Sequence, residues 1–316
     1  MIFQPFLQDK KPYLKLLYFL LTVICCVFLI NIFGMVLAVP FFGKSFMDSL
    51  SVLNDYSDSI VIVKLKYLQV VNQFALFIVP VLIFALFADN SVARYLKLNR
   101  KIKVLPLLFA VCIIFAGLPL INWLSEINRN MSLSERYSWL EQWMRDSENQ
   151  ASDITDAFLR SAGYGDLLIN FLVIAILPAL GEEFFFRGVL QRLFSEWFKN
   201  AHAGIIITAL LFSAFHMQFF GFLPRFLLGM FLGYLFYWSG TLWLPIIVHF
   251  LNNGLAVAVA FLSARGIFDI SYETFGSSNN WYVILGSGFV VSVMIVLLNK
   301  TGRRNSVGEI HEIPRQ

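Results

Sequence analysis

Gly181-Glu182-Glu183-Phe184-Phe185-Phe186-Arg187 stands where a membrane-spanning segment ought to be. Ahead of it runs Leu167-Leu168-Ile169-Asn170-Phe171-Leu172-Val173-Ile174-Ala175-Ile176-Leu177-Pro178-Ala179-Leu180, and Gly188-Val189-Leu190 follows. Two adjacent carboxylates and a guanidinium are therefore embedded in apolar sequence. An ionised side chain at the centre of a bilayer costs at least about 2.5–3.5 kcal/mol, so such residues tend to be paired and functional. Glu183 and Arg187 are spaced i,i+4, which puts them on one helical face where they can neutralise each other. Glu182 has no such partner within its own helix, and the functional reading turns on it.

The composition sets the frame. Hydrophobic residues make up 58% of the 316 and charged residues 14%, and the mean hydropathy is +0.71. These values exclude an ordinary soluble domain and point to an all-α, multi-pass transmembrane helical bundle. The net charge of +4 is small, and nothing in its distribution points to nucleic acid. Cys25, Cys26 and Cys112 lie in apolar runs without paired spacing, which reads as small buried hydrophobes rather than a disulfide or metal framework. The first apolar run is too long for a signal-peptide core and is expected to be an uncleaved anchor.

Windowed hydropathy gives about eight spans, at 16–39, 67–88, 104–124, 167–194, 203–217, 222–238, 242–262 and 282–298. The chain thus divides into N-terminal helices with an external loop (1–166), a membrane core carrying the polar groups (167–298) and a polar tail (299–316). The fifth and sixth spans are short, and the Gly/Pro-containing corner 218–224 between them is expected inside the membrane. With eight spans, Lys10, Lys11, Lys15, Arg94, Lys97, Arg100, Lys101, Lys103, Arg192, Lys199, Lys300, Arg303 and Arg304 all fall on one side. Asp48, Asp55, Asp58, Asp269 and Glu273 fall on the other. The positive-inside rule then places both termini in the cytoplasm.

In the longest external loop, 125–166, Ser132-Leu133-Ser134-Glu135 fits a capping box. Tyr137, Leu140, Trp143 and Met144 follow at helical spacing, as expected of an amphipathic helix against the outer interface.

Two more polar groups interrupt apolar spans: His216 at the end of the fifth, and His249 with Asn253 at i,i+4 in the seventh. The remaining histidines, His202 and His311, read as solvated surface. At ~1.5 Å rise per residue, Glu182 lies about 18 Å from Phe194 and His216 about 20 Å from Ala203. On the same scale His249 is about 10 Å and Asn253 about 16 Å from Leu242. The four groups can therefore meet at one level.

A carboxylate, two imidazoles and an amide in a low-dielectric site suit hydrolysis. Burial raises a carboxylate's pKa toward neutrality, where a general base works best. A base assisted by one His can activate water, and a second His with an amide can donate to the oxyanion that develops. Alternatively, Glu182, His216 and His249 can hold Zn²⁺ with an open position, although the tight helical signature H-E-x-x-H is absent.

Glu182-Glu183-x-x-x-Arg187, Phe212-x-x-x-His216 and His249-x-x-x-Asn253 resemble the three motifs of the CAAX protease and bacteriocin-processing (CPBP, or Abi) family of intramembrane endopeptidases. The resemblance covers 182–253, and the earlier part shows only compatible hydropathy. Eukaryotic members of that family trim prenylated CaaX proteins. The resemblance implies that Glu182 and His216 activate water and that His249 and Asn253 bind the oxyanion. It further implies that Glu183 and Arg187, with Phe212 in the second motif, support the site. The family has been described both as metalloprotease and as metal-independent glutamic protease. The Asn of the third motif favours the metal-free form, with no cofactor and with Zn²⁺ as the alternative.

The expected partners are a peptide or membrane-anchored protein substrate and the bilayer, and the absence of targeting motifs leans toward a prokaryotic plasma membrane. Two other classes compete: a non-catalytic immunity or scaffold protein, and a proton-coupled transporter using intramembrane Glu and His. Retention of the whole polar set argues against the first, and the lack of an inverted repeat against the second. Orientation is directly testable. In a cysteine-free background, a single cysteine at position 149 is expected to react with an impermeant thiol reagent in whole cells, and one at position 305 is not. The reverse pattern would invert the topology.

Overall fold

The computed structural model describes residues 5–43, 46 and 55–306, with side chains to 301. Asp48, His311 and the tail beyond Ser306 lie outside these. Among the described residues the elements are helical, without strands. In chain order they are α1 (Pro12–Phe42), α2 (Ser59–Ala88), the short α3 (Val92–Tyr95), α4 (Val104–Arg129) and α5 (Ser138–Leu159). They continue as α6 (Tyr164–Phe198), α7 (Ala201–Phe215), α8 (Phe222–Ser239), α9 (Trp243–Ala264) and α10 (Trp281–Ser306). Among the described residues seven helices are long and apolar enough to cross a membrane, and α7 is a shorter apolar helix beside them. The chain is therefore a multi-pass helical bundle of roughly eight helices, as the hydropathy indicated. The second span starts earlier than expected, at Ser59, because the Asp58 carboxylate accepts the Ile60 N–H at 2.8 Å and caps it. The last helix continues through Arg304 to Ser306. Only Cys26 is buried; Cys25 and Cys112 are exposed on outward faces, which corrects the expectation that all three are buried.

α6 is the central helix. Half of its most apolar stretch is buried by protein, against 11% for α10 and 17% for α1. On one side, edge-on and tilted aromatic contacts tie Phe19 of α1, Phe77 and Phe84 of α2, Phe185 and Phe186 of α6 and Phe212 of α7 into one cluster. On the other, α4, α8, α9 and α10 share a smaller aliphatic core around Ile113, Leu232, Leu244 and Leu298. Lipid tails are as apolar as these side chains, so close backbone approach has to help hold the helices together. Gly229 and Gly233 of α8 provide it: a methyl group at Gly229 would stand 3.2 Å from the Ala209 backbone, and one at Gly233 would stand 2.9 Å from Ile205.

Three helical turns are widened into π-helix, at Gln73–Ile78, Phe171–Ile176 and Phe184–Leu190. The first two end two residues before Pro80 and Pro178. Proline has no N–H and its ring crowds the carbonyl four residues back, and a wider turn is one way a helix absorbs that. Two of the widened turns flank Glu182 and Glu183 on α6, and the third contains Gln73 on α2.

The two ends of the bundle differ. At one end, Lys15 pairs with Glu196 at 2.9 Å, Arg192 stacks on Tyr95 at 4.2 Å and donates to its carbonyl, and Trp243 donates to Leu98 O at 2.9 Å. The Arg94 guanidinium, hydrogen-bonded to Asp89, holds that carboxyl below the usual range. Lys15, Arg94 and Arg192 thus line one pocket at this end. At the opposite end α5 covers the corner between α7 and α8. Glu148 accepts the Phe220 N–H at 2.9 Å, Arg145 lies 4.2 Å over the Phe220 ring, and Trp143 packs on Phe219. Asn128 of α4 bonds Phe219 O and the Leu223 N–H. The expected capping box, with Ser132 as N-cap, gives way to a 3-10 turn whose N-cap is Ser134, without a side-chain cap, and the Leu133 N–H is taken at 2.8 Å by Glu141, one turn inside α5. Tyr137 precedes α5, in a 3-10 turn.

Candidate active site

Glu183 and Arg187 are completely buried. Arg187 Nη1 donates to Glu183 Oε1 at 2.7 Å, its Nη2 to Gly229 O at 2.9 Å, and its guanidinium lies 4.6 Å over the Phe212 ring. The same Glu183 oxygen accepts from His249 Nδ1 at 2.8 Å. One carboxylate oxygen therefore joins a cation of α6 to an imidazole of α9, while the cation holds a backbone carbonyl of α8. One turn along, Gln191 donates to Gly233 O at 3.0 Å, so two successive side chains of α6 staple the G-x-x-x-G face of α8. That spacing, Gly229 to Gly233, was the sequence signal for this contact.

Glu182 is 7% exposed and its Oε2 is buried without a hydrogen-bond partner. It lies 4.0 Å from His216 Nε2 and 3.9 Å from His249 Nε2. Both imidazoles are oriented from behind. His216 Nδ1 is 2.8 Å from Phe212 O and His249 Nδ1 is 2.8 Å from Glu183 Oε1. A carbonyl and a carboxylate only accept, so each Nδ1 carries a hydrogen, and in the neutral ring each Nε2 presents a lone pair toward Glu182. A water hydrogen-bonded at ~2.8 Å to two atoms can bridge up to ~5.6 Å, so either gap admits one. Phe212 packs edge-on against both rings, at centroid distances of 5.0 and 5.9 Å. The His216 side chain is 30% exposed, which makes it the most open member of the group.

The structure thus brings together Glu182, Glu183, Arg187, Phe212, His216 and His249. Asn253 stands one turn from His249 but is linked to none of them by a hydrogen bond. Its Nδ2 donates to Ile174 O at 3.1 Å, the carbonyl four residues before Pro178, which the missing proline N–H leaves without its usual partner. One of its two N–H groups remains for other use. Among residues the sequence reading passed over, Gln73 and Lys66 of α2 are buried at 3% and 7% exposure. A polar residue within an N-terminal span was the available signal for both.

For zinc, donors at ~2.0–2.1 Å in a tetrahedral site lie roughly 3.3 Å apart. The 3.9 and 4.0 Å gaps to Glu182 are wider, and among the described residues no group of three or more His, Cys, Asp or Glu has metal-holding geometry.

Residues 164–255 match the family model described as "Type II CAAX prenyl endopeptidase Rce1-like", in line with the resemblance carried by the three motifs. The matched segment is α6 to α9, and it contains all seven motif residues. A relative from Escherichia coli, described as an uncharacterized 24.3 kDa protein, is 36% identical over 88 residues, which is 27% of this chain and 41% of the relative. The match thus spans less than half of either protein. No solved structure matches.

Removing one partner of a buried ion pair leaves the other charge uncompensated, typically at about 3–5 kcal/mol. Arg187→Ala and Glu183→Ala are therefore expected to lower the melting temperature in detergent together with any activity. Arg187→Lys should do the same, because an ammonium cannot hold Glu183, Gly229 O and the Phe212 face at once. An inactive Arg187→Ala protein with an unchanged melting temperature would place Arg187 in the chemistry instead.

Proposed function

We propose that this chain is an intramembrane endopeptidase that hydrolyses a peptide bond of a peptide or membrane-anchored protein, with Glu182 as general base and no metal. The observation that carries the reading is Glu182 itself: a buried, unpartnered carboxylate facing two imidazoles at 3.9 and 4.0 Å whose far nitrogens are both held. A buried carboxylate without a partner is a poor structural element, and it is what activating a water requires. The match of residues 164–255 to an endopeptidase family supports the same reading.

In the proposed reaction, a water between Glu182 Oε2 and His216 Nε2 gives up a proton as its oxygen attacks the scissile carbonyl carbon. The carbonyl π pair moves onto oxygen, and the oxyanion takes hydrogen bonds from the free N–H of Asn253 and from His249. Because His249 Nδ1–H is committed to Glu183, its Nε2 donates only when the ring is an imidazolium, and Glu183 is placed to stabilise that charge. Collapse of the intermediate breaks the C–N bond, the abstracted proton passes to the leaving nitrogen, and a carboxylic acid and an amine result. In this scheme Glu183 and Arg187 are positioning residues, because they reach the reaction through His249 and the α8 backbone.

Glu182→Gln keeps size and polarity but removes the base, so turnover of quenched-fluorescence peptides in detergent should fall by ~10²–10⁴ with the melting temperature retained. Near-normal turnover would defeat Glu182 as the general base, whereas no cleavage by the wild type would defeat the peptidase class and reopen the scaffold and transporter readings. Asn253→Ala removes both an oxyanion donor and the partner of Ile174 O, so kcat should drop by ~10²–10³ along with some stability. Stoichiometric zinc in the purified protein, with activity lost on chelation and restored on return, would replace the metal-free scheme and leave the peptidase reading in place.

A further inference from the structure

Gln73 belongs to the first widened turn of α2. It is 3% exposed, its Oε1 is buried without a hydrogen-bond partner, and no hydrogen bond to its Nε2 is found among the described residues. The carboxamide lies over Gly181, the residue before Glu182: a methyl group there would stand 3.1 Å from Gln73 Oε1 and 3.0 Å from Phe77 Cβ. One turn along the same face of α2, the Phe77 ring meets Phe185 at 5.3 Å and Phe215 at 5.9 Å. Phe185 lies one turn past Glu182, and Phe215 immediately precedes His216. This face of α2 therefore packs on the residues that adjoin Glu182 and His216 in the chain. About 10 Å farther along it, Lys66 is buried with its ammonium 5.5 Å over the Phe158 ring, so the stripe is polar at a second position.

An unpartnered buried amide destabilises a fold, and an apolar side chain of the same shape would serve packing better. A π-turn that redirects such a side chain is a recurrent feature of functional sites. A primary carboxamide carries the donor and acceptor of a peptide unit side by side, and it is therefore complementary to an extended peptide backbone.

We propose that Gln73 is a substrate-positioning residue, whose amide hydrogen-bonds the backbone of the bound peptide next to the bond that Glu182 attacks. The inference rests on the peptidase reading and assigns to α2, outside the three motifs and outside the matched segment, the wall against which the peptide is aligned. Gln73 touches the substrate away from the reacting atoms, so its loss acts on binding more than on turnover.

The test compares Gln73→Met, an apolar near-isostere, and Gln73→Glu, which keeps the shape but loses the N–H donor, using quenched-fluorescence peptides cleaved by the wild-type protein. Both are expected to raise KM about tenfold, the worth of one hydrogen bond, with kcat within about threefold. The Gln73→Met protein should melt at or above the wild-type temperature. An unchanged KM in Gln73→Met would overturn the proposal, and so would a joint loss of activity and melting temperature, which marks a structural amide. Peptide affinity measured in the Glu182→Gln background separates the two readings. If the wild type never cleaves, the peptidase reading fails, and if Glu182→Gln still cleaves, Glu182 is not the base. A roughly tenfold weaker Kd on adding Gln73→Met would still support Gln73 as a peptide contact, and an unchanged Kd would remove it.

Discussion

The sharing of one Glu183 oxygen between Arg187 and His249 is the interaction on which the rest of the membrane core depends. A guanidinium with no exposed surface in an apolar bundle persists only if its charge is met, here even though its Nε is left without a hydrogen-bond partner. Glu183 meets the charge, Gly229 O takes a second donor, and the Phe212 ring covers the guanidinium face. Each of these partners comes from a different place along the chain, so closing the Arg187 environment brings α6, α7 and α8 together. The second hydrogen bond to Glu183 then adds α9 and turns the His249 ring so that its Nε2 points at Glu182. The arrangement that makes the buried charge tolerable is thus the one that orients an imidazole for use.

Backbone irregularity is concentrated in the same helices, on either side of Glu182 and Glu183 in α6 and in the turn of α2 packed on Gly181. Pro80 and Pro178 each leave a carbonyl without its helical partner, and each is preceded by a widened turn. At Ile174 the freed carbonyl is taken by Asn253, which ties the third motif to the turn leading into the first. In a bilayer an unsatisfied backbone group has no water to turn to, so such breaks survive only where neighbouring helices supply the missing bonds. Asn253 consequently has a structural task that is compatible with an oxyanion role through its second N–H. The α7–α8 corner is handled in the same way: its exposed backbone groups are closed by Glu148 and Asn128, side chains of α5 and α4. The amphipathic helix expected in the loop 125–166 thereby completes the hydrogen bonding of the turn that follows His216.

Much of this was legible beforehand, for reasons that can be stated residue by residue. An apolar run of bilayer length can only be a helix or a barrel strand, so composition and run length settle the bundle and the approximate number of spans. Charge inside such a run is expensive enough to be informative alone, which is why Glu182, Glu183, Arg187, His216 and His249 stand out without any structure. The i,i+4 spacing of Glu183 and Arg187 is a property of one helix, and the ion pair follows from it. Local chemistry was a weaker guide at the helix ends: the Ser132–Glu135 pattern suits a capping box, yet Glu141, held by Arg145 at 2.7 Å, takes the Leu133 N–H instead.

What the sequence determined by itself is the class of fold and the internal pair of α6, because each depends on composition or spacing along a single helix. Which helices are neighbours depends on contacts between segments far apart in the chain, and no periodicity encodes those. Only the tertiary structure therefore decided that Glu183 serves His249 as well as Arg187, that Asn253 closes a carbonyl freed by Pro178, and that Gln73 is laid against Gly181 beside Glu182.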